Sequence, residues 1–236
     1  MDYRTLCQDF VAQFGLAGGT GPSSVENQVG ELGNVVRWVR DAALYIDNLW
    51  LDWRYLFTRY SGTLSAPDSV PSLPNDPAGV RARLWETHNL KISPAPPTAP
   101  AWSKLTYLER AQFDQCYDPD TATAGQPEAF TVMPDQTLQF NCPADQSYIL
   151  KGAFYRAPVP LAANSDVPLI PEEFHRLILV RALVMYADRE DAPELVSAAL
   201  SEYPDLLEKL ESGYLEAFQY RRRAASPEDR ATERSR

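Results

Sequence analysis

The segment from Asn164 to His175, NSDVPLIPEEFH, determines the predicted fold because it joins a β-rich region to a long apolar helix. Pro168 keeps the residue before it extended, and Pro171 has the φ angle of a first helical turn. One of the polar side chains at positions 164–166 is expected to accept hydrogen bonds from the free N–H groups at the start of the helix. The segment therefore predicts a capped turn that begins a helix.

The helix after this turn is expected to span Phe174 to Ala187, where most positions on every side are apolar. Glu172 and Glu173 precede it and complement the positive end of the helix dipole. A helix that is apolar all round must be covered from several directions. Neighbouring helices of the same chain, or other copies of the chain, are expected to provide that cover.

Two amphipathic helices are predicted in the first fifty residues. Leu6, Phe10 and Phe14 recur at helical spacing near the N-terminus. A second helix is predicted from Glu31 to Trp50, with one apolar stripe. The members of that stripe are Leu32, Val36, Val39, Ala43, Ile46 and Trp50.

The residue pattern changes after Asp52, and the new pattern indicates β structure. The aromatic and β-branched alternation from Trp53 to Leu64 predicts a strand. Residues 66–100 contain eight prolines and a short strand candidate at Leu84–Trp85. Because proline removes ladder donors, this stretch is predicted to be an extended surface connection rather than part of the core.

Further along, a short helix is predicted at 107–117, followed by three strands at 129–133, 137–141 and 148–155. Turn-forming Pro, Asp and Gln residues separate these strands. The pattern predicts an antiparallel meander.

The last third returns to helix and ends in a basic tail. Apolar positions keep one stripe from Leu195 to Phe218, and Pro204 inside it predicts a kink or a break near Tyr203. The fold class is therefore α+β. Helices from residues 1–52 and 170–222 are expected to form a bundle, with an antiparallel β insertion at 53–169. The tail at 223–236 is expected to be flexible unless bound.

Composition and charge limit the function classes. A hydrophobic content of 44% and an aromatic content of 11% predict a packed core. The net charge of −10 argues against a protein that wraps nucleic acid, because phosphate binding needs clustered cations. No apolar run is long enough to span a bilayer, and Met1-Asp-Tyr-Arg begins no signal peptide. The three cysteines have no metal-ligand spacing and are expected to be reduced and mostly buried.

No residues are predicted to carry catalysis, bind a cofactor or hold a metal. The glycines at 15–21 lack the ending of a phosphate-binding loop. His88 and His175 lie in different elements, and His175 is predicted to be a packed or capping residue. The acids at 188–216 follow no calcium-loop pattern and favour a solvated or channel-facing surface.

Two blocks of sequence resemble the head-to-tail adaptor (connector) proteins of tailed bacteriophages. The first is GELGNVVRWVRDAA at 30–43, continuing to WLDWRYL at 50–56. The second comprises FTVMPDQTL at 130–138, YIL at 148–150, FYRAP at 154–158 and DVPLIPEEFH at 166–175. Order and spacing are similar from about 30 to 191, about two-thirds of the chain. The proline-rich segment and the arginine tail differ from that pattern.

The resemblance implies a virion structural protein without catalytic activity or cofactor, made in the host cytoplasm. It implies that copies form a ring below the portal, commonly twelvefold. Such a ring extends the DNA channel and docks the tail or nozzle proteins. DNA is expected to pass through without specific binding, and no membrane is involved.

Specific residues are assigned to contacts on this basis. The arginines of the tail are predicted to bind the portal: Arg221, Arg222, Arg223 and Arg230. Five aromatic residues are predicted to lie at subunit interfaces: Trp50, Trp53, Tyr55, Phe154 and Tyr155. Two alternatives stay open, a tail-completion or tail-tube protein of the same virion, and a divalent-cation-dependent enzyme that uses the acids near 188–205.

Overall fold

A computed structural model shows an α+β protein, which confirms the predicted fold class. It describes residues 1–15, 17–70, 80–95, 102–118, 121–189 and 193–215. The chain divides into two compact units, a helical unit of Met1–Tyr55 with Pro158–Arg236, and a β unit of Leu56–Ala157.

Five helices are present in the described part of the chain: α1 (Tyr3–Phe14), α2 (Gly30–Leu49), α3 (Arg110–Cys116), α4 (His175–Arg189) and α5 (Pro193–Tyr214). Short 3-10 turns lie at Ala17–Gly19, Arg54–Leu56 and Glu172–Phe174. All the helices except α3 belong to the helical unit. Within it, α4 contacts α1, α2 and α5.

Helix α1 begins at an acidic N-cap and ends at a glycine. Asp2 accepts a hydrogen bond from the backbone N–H of Thr5 at 2.8 Å, which satisfies one free donor of the first turn. Gly15 ends the helix in the left-handed conformation, with φ of 66°. Leu6 and Phe10 of the predicted stripe are fully buried.

The buried face of α2 is rotated relative to the predicted stripe. Val39, Ala43 and Ile46 are buried as expected, but Leu32 and Val36 are only half-buried. Val35, Trp38 and Ala42 are buried instead. The large indole of Trp38 is buried and packs edge-on against Tyr186 of α4, with ring centroids 5.3 Å apart.

Helix α4 confirms the prediction of a helix covered from several directions. Four consecutive residues, Leu177–Val180, are buried, which requires cover on every side. Three helices of the same chain contact it. The cover predicted from neighbouring helices is therefore present within one chain.

The predicted capping of α4 by residues 164–166 is wrong. The Asn164 side chain instead accepts from the backbone N–H of Val25 at 2.7 Å. The Asp166 carboxylate accepts from the N–H groups of Ala162 and Ala163 at 2.7 and 2.8 Å. These bonds close the turn on itself and tie it to the N-terminal segment. Residues 158–169, expected in the β insertion, consequently belong to the helical unit.

Helix α5 continues through Pro204, so of the predicted kink or break near Tyr203 the break is wrong, and the kink stays a prediction. Arg176 of α4 donates two hydrogen bonds of 2.9 Å to the two carboxylate oxygens of Glu202 on α5. The helix ends at Tyr214, and the predicted stripe position Phe218 lies outside the described residues.

Besides α3, the described part of the β unit contains eight strands: β1 (Phe57–Leu64), β2 (Ala82–Trp85), β3 (Lys91–Pro94), β4 (Ser103–Lys104), β5 (Thr106–Tyr107), β6 (Ala129–Val132), β7 (Leu138–Phe140) and β8 (Tyr148–Arg156). The larger sheet has the order β1-β8-β3-β4, and β2 also pairs with β8. The smaller sheet has the order β5-β6-β7. Only the β5–β6 pair is parallel among the named strand pairs.

The predicted meander is only partly correct. β6 and β7 form an antiparallel pair, but β8 lies in the other sheet and pairs with β1, β2 and β3. The proline-rich stretch also contributes to the core, contrary to the prediction, because Trp85, Leu90 and Ile92 are buried there. Positions 71–79 and 96–101 of that stretch lie outside the described residues.

Both sheets of the β unit contribute to one apolar core. Phe130, Leu138 and Phe140 of the smaller sheet belong to the same cluster as inward-facing side chains of the larger sheet. Gly152 makes room there, since a Cβ at that position would lie 2.7 Å from a methyl carbon of Leu90. This core fixes which residues of β1, β3 and β8 face outward.

Candidate interaction surfaces

An aromatic–carboxylate cluster connects α2, the segment after it and α5 within the helical unit. The indole N–H of Trp50 donates to Glu211 at 3.1 Å, and the Tyr55 hydroxyl donates to Asp47 at 3.0 Å. Asp47 and Glu211 are buried, with 5% and 6% of their surface exposed. Trp50 and Tyr55 are half-buried, so part of each ring remains at the surface.

Tyr214 extends this cluster to the start of α4. Its ring packs edge-on against Tyr55 and Phe174, at centroid distances of 5.8 and 6.0 Å. The Tyr214 hydroxyl donates to Glu173 at 2.9 Å, and this hydrogen bond raises the pKa of Tyr214. Four aromatic rings and three carboxylates thus meet where the first and last parts of the chain come together.

Trp53 does not have the exposure that a subunit contact requires, and its predicted role there is corrected. Its side chain is fully buried, and its indole N–H donates to the carbonyl oxygen of Ile46 at 3.1 Å. That carbonyl lies in the last turn of α2. The ring stacks on Tyr55 at 5.4 Å. Trp53 therefore completes the end of a helix in its own chain.

Phe154 is corrected for the same reason. Only 1% of it is exposed, and its ring lies 5.1 Å from that of Trp85 in the core of the β unit. Tyr155, the next residue on β8, points the other way and is half-buried. It packs edge-on against Phe57, which is 41% exposed. Tyr155 therefore keeps surface that a neighbouring protein can reach.

Three lysines form a row on the outward face of the larger sheet. Lys91 of β3 lies directly opposite Lys104 of β4 on one side and Lys151 of β8 on the other. Directly opposed residues of antiparallel strands share a face and have Cα atoms about 5 Å apart. All three side chains are exposed. We call Lys91, Lys104 and Lys151 the lysine row.

An open cleft of about 460 Å³ includes part of the lysine row. Arg59 of β1 lines it, and so does Trp102, whose ring centroid lies 4.8 Å from the Lys151 ammonium nitrogen. Phe57 and Glu86 also line the cleft. The Glu86 carboxylate accepts a hydrogen bond from the side chain of Asn89 at 3.0 Å. The cleft is basic and aromatic, with a single carboxylate among the described residues that line it.

His175 is a packed residue, as predicted. It is 1% exposed, and its Nε2 lies 3.0 Å from the Ile170 carbonyl oxygen. Since a carbonyl only accepts, Nε2 carries the hydrogen, and Nδ1 faces the Met1 amino group at 3.3 Å. Burial, followed by the charge of that amino group, lowers the pKa of His175. The ring is a neutral structural donor.

The remaining predicted positions are mostly at the surface or beyond the described part. The tail arginines Arg221, Arg222, Arg223 and Arg230 lie outside the described residues. Cys7 and Cys142 are buried and Cys116 is exposed, all as free thiols. Burial raises the pKa of Cys7 to about 12.

Within the described ranges, no group of three or more His, Cys, Asp or Glu side chains is arranged to hold a metal ion. Nor is any described helix long and apolar enough to cross a membrane.

The lysine row and its cleft were missed by reasoning from sequence. The three lysines are separated by 13 and 47 positions, and the pairing of β3 with both β4 and β8 brings them together. Alternation along β1 was the available signal, because it places Phe57 and Arg59 on one face. Without the strand order, the sequence did not identify the strands that lie beside that face of β1.

Comparison with known proteins identifies the class of the chain. Residues 1–232 match the SU10 adaptor protein family. No curated protein matches the sequence significantly. The matched family is one of bacteriophage structural adaptor proteins, components of the virion, and it is not an enzyme family.

The chain belongs to the SU10 adaptor protein family, which confirms the resemblance to phage head-to-tail adaptors. Membership in this family implies interaction with the portal and the tail of the phage. The match includes the proline-rich segment and nearly all of the arginine tail. Both were expected to be particular to this chain, yet both lie inside the matched range.

Proposed function

We propose that copies of this protein form a ring below the portal, extend the DNA channel and provide the surface on which the tail docks. The observation that carries the proposal is the family match, which runs from residue 1 to residue 232. An adaptor of the virion must bind other proteins on at least two sides. The proposal therefore requires surfaces that suit protein contacts.

The half-buried aromatic residues Trp50, Tyr55 and Tyr155 are proposed to lie at such contacts. Tyrosine and tryptophan are enriched in protein interfaces, where the ring is covered and the polar atom needs a partner. Trp50 and Tyr55 already have carboxylate partners for their polar hydrogens in Glu211 and Asp47. A neighbouring copy can therefore cover these rings without leaving their N–H or O–H unsatisfied.

The basic tail is proposed to bind the portal through Arg221, Arg222, Arg223 and Arg230. The last sixteen residues hold six arginines against three acids, whereas the whole chain carries −10. Charge-assisted hydrogen bonds between guanidinium and carboxylate groups favour acidic partners. Deleting residues 221–236 is expected to weaken portal binding and leave the far-UV circular dichroism spectrum of the remainder unchanged in shape. Undiminished portal binding would remove the tail from the proposal.

Co-sedimentation with purified portal particles tests the proposed function. The wild-type chain is expected to sediment with the portal. Trp50→Ala is expected to weaken the assembly of copies of the chain on the portal by about 2 kcal/mol, roughly 30-fold. This is the loss typical of an aromatic anchor. Val29→Ala is the control, because Val29 is 84% exposed and belongs to no aromatic cluster described above.

The alternatives give different results in this assay. A tail-tube or tail-completion protein would assemble with tail components and leave the portal unbound. A cation-dependent enzyme would bind neither, and divalent cations would raise its thermal stability.

A further inference from the structure

The lysine row places three positive charges in direct register on one sheet face. Lys104, Lys91 and Lys151 lie on adjacent strands, so their Cα atoms span about 10 Å across the sheet. Arg59 of β1 is diagonal to Lys151 on the same face, since its direct partner on β8 is Ala153. Diagonal neighbours remain within reach of long side chains. The face thus carries four positive charges in a compact patch.

This arrangement is unfavourable for the isolated sheet. Like charges directly opposite each other on neighbouring strands destabilise the pairing. Across the described residues, the ion pairs involve other groups, and none includes a member of the lysine row. The Lys151 ammonium lies over the Trp102 ring, which stabilises a cation without neutralising it. A negatively charged ligand would relieve the repulsion.

The patch also stands out against the charge of the whole chain. Residues 56–157 contain eight Lys and Arg and ten Asp and Glu, a balance of −2, whereas the chain carries −10. Four of those eight basic residues lie on this one face. The acidic surplus is therefore concentrated outside the β unit, and the outward face of its larger sheet is locally positive.

The composition of the face favours phosphate over a protein partner. Lysine is depleted in protein–protein interfaces, because its strongly hydrated ammonium is costly to bury. Lysine binds phosphate groups as a point charge without demanding a fixed geometry. Trp102 and Phe57 add apolar ring surface beside the cations, a combination found in proteins that bind nucleic acid without reading its sequence.

We infer that the lysine row, together with Arg59, is a binding face for the phosphodiester backbone of DNA. The contact is electrostatic and independent of base sequence. That DNA is the polyanion which the protein meets rests on the proposed function. DNA contacts this positively charged face rather than the acidic remainder of the protein.

The test is the salt dependence of binding between the full-length protein and a fluorescently labelled DNA duplex of about 20 base pairs, measured by fluorescence anisotropy. Each phosphate contact contributes about 0.9 to the slope of log K against log salt. K91Q/K104Q/K151Q is expected to lower the slope by about 2 to 3 and to weaken binding at least tenfold at low salt.

A matched control removes the same charge from exposed positions of the helical unit. R4Q/R37Q/K209Q changes three exposed basic residues outside the β unit and is expected to leave the slope within about 1 of wild type. An equal loss of slope in both variants would show only general charge attraction and would overturn the inference. Repeating the lysine substitutions in a chain that lacks residues 221–236 separates the face from the arginine tail.

Portal co-sedimentation of the same variants keeps the two proposals distinguishable. If K91Q/K104Q/K151Q sediments with the portal but keeps the wild-type slope, the DNA face is wrong and the proposed function stands. If that variant loses self-association while its slope is unchanged, the face is a protein contact, which also overturns the inference. If the slope falls as expected but no chain binds the portal, the DNA face stands and the proposed function fails.

Discussion

Replacement of Trp53 tests the internal role of a residue that sequence reasoning placed at a subunit interface. The side chain is fully buried and its N–H caps the Ile46 carbonyl at 3.1 Å. Truncation of a buried tryptophan to alanine costs about 3 to 5 kcal/mol through lost burial and the cavity left behind. Trp53→Phe keeps most of the ring but leaves that carbonyl without the indole donor, at a cost of about 1 to 3 kcal/mol.

Urea unfolding followed by circular dichroism at 222 nm measures both variants. The expected order of the free energy of unfolding is wild type, then Trp53→Phe, then Trp53→Ala. Leu51→Ala is the control, because Leu51 is 51% exposed and surface substitutions change stability by about 0.5 kcal/mol or less. A loss below about 1 kcal/mol for Trp53→Ala, combined with lost self-association, would refute the internal role and return Trp53 to the interface.

Three further outcomes follow from the same structure. Burial lowers the pKa of His175, so the unfolded chain takes up a proton first as the pH falls through about 6.5, and stability is lost as the pH falls further; unfolding is compared at about pH 7.5 and about pH 5.5. The loss of stability between the two pH values should be smaller in His175→Gln. His88→Gln, which replaces an exposed histidine, should show the same loss as the wild type. Urea unfolding at both pH values measures each variant. Phe154→Ala should lower the thermal midpoint by removing about 3 to 5 kcal/mol from the core of the β unit; an unchanged midpoint would count against burial. Glu202→Gln should cost less than about 1 kcal/mol and less still in high salt, because 39% of Glu202 and 40% of its partner Arg176 are exposed.

Local signals in the sequence predicted the helices well. The stripe of α1, the continuous apolar character of α4 and the antiparallel pairing of β6 with β7 each depend on residues close together in the chain. Periodicity reports such elements directly. The rotated stripe of α2 shows the limit of periodicity as a predictor of the buried face. The small residue Ala42 and the large residue Trp38 are both buried, because packing determines which side of the helix faces the core.

Long-range pairing explains most of the errors. β8 pairs with β1 across more than eighty residues, and no local pattern distinguishes this from a meander with β7. The polar turn at 164–166 contains suitable capping residues, yet their partners lie at Val25 and within the turn. Side chains that can cap a helix can equally bond other backbone groups.

The structure divides the five candidate contact residues into buried and partly exposed ones. The family resemblance and aromatic character together selected five residues, but neither reports burial: Trp50, Trp53, Tyr55, Phe154 and Tyr155. Trp53 and Phe154 point into the cores of their units, while the other three keep exposed ring surface. The lysine row required the strand order of the larger sheet, which only the three-dimensional structure provides.

Electron microscopy of the purified protein mixed with portal particles shows whether this chain forms a ring on the portal. We expect an added ring of copies of this chain on the portal, with its channel in line with that of the portal. Portal particles that remain bare at saturating protein, under conditions where the chain is folded, would contradict it.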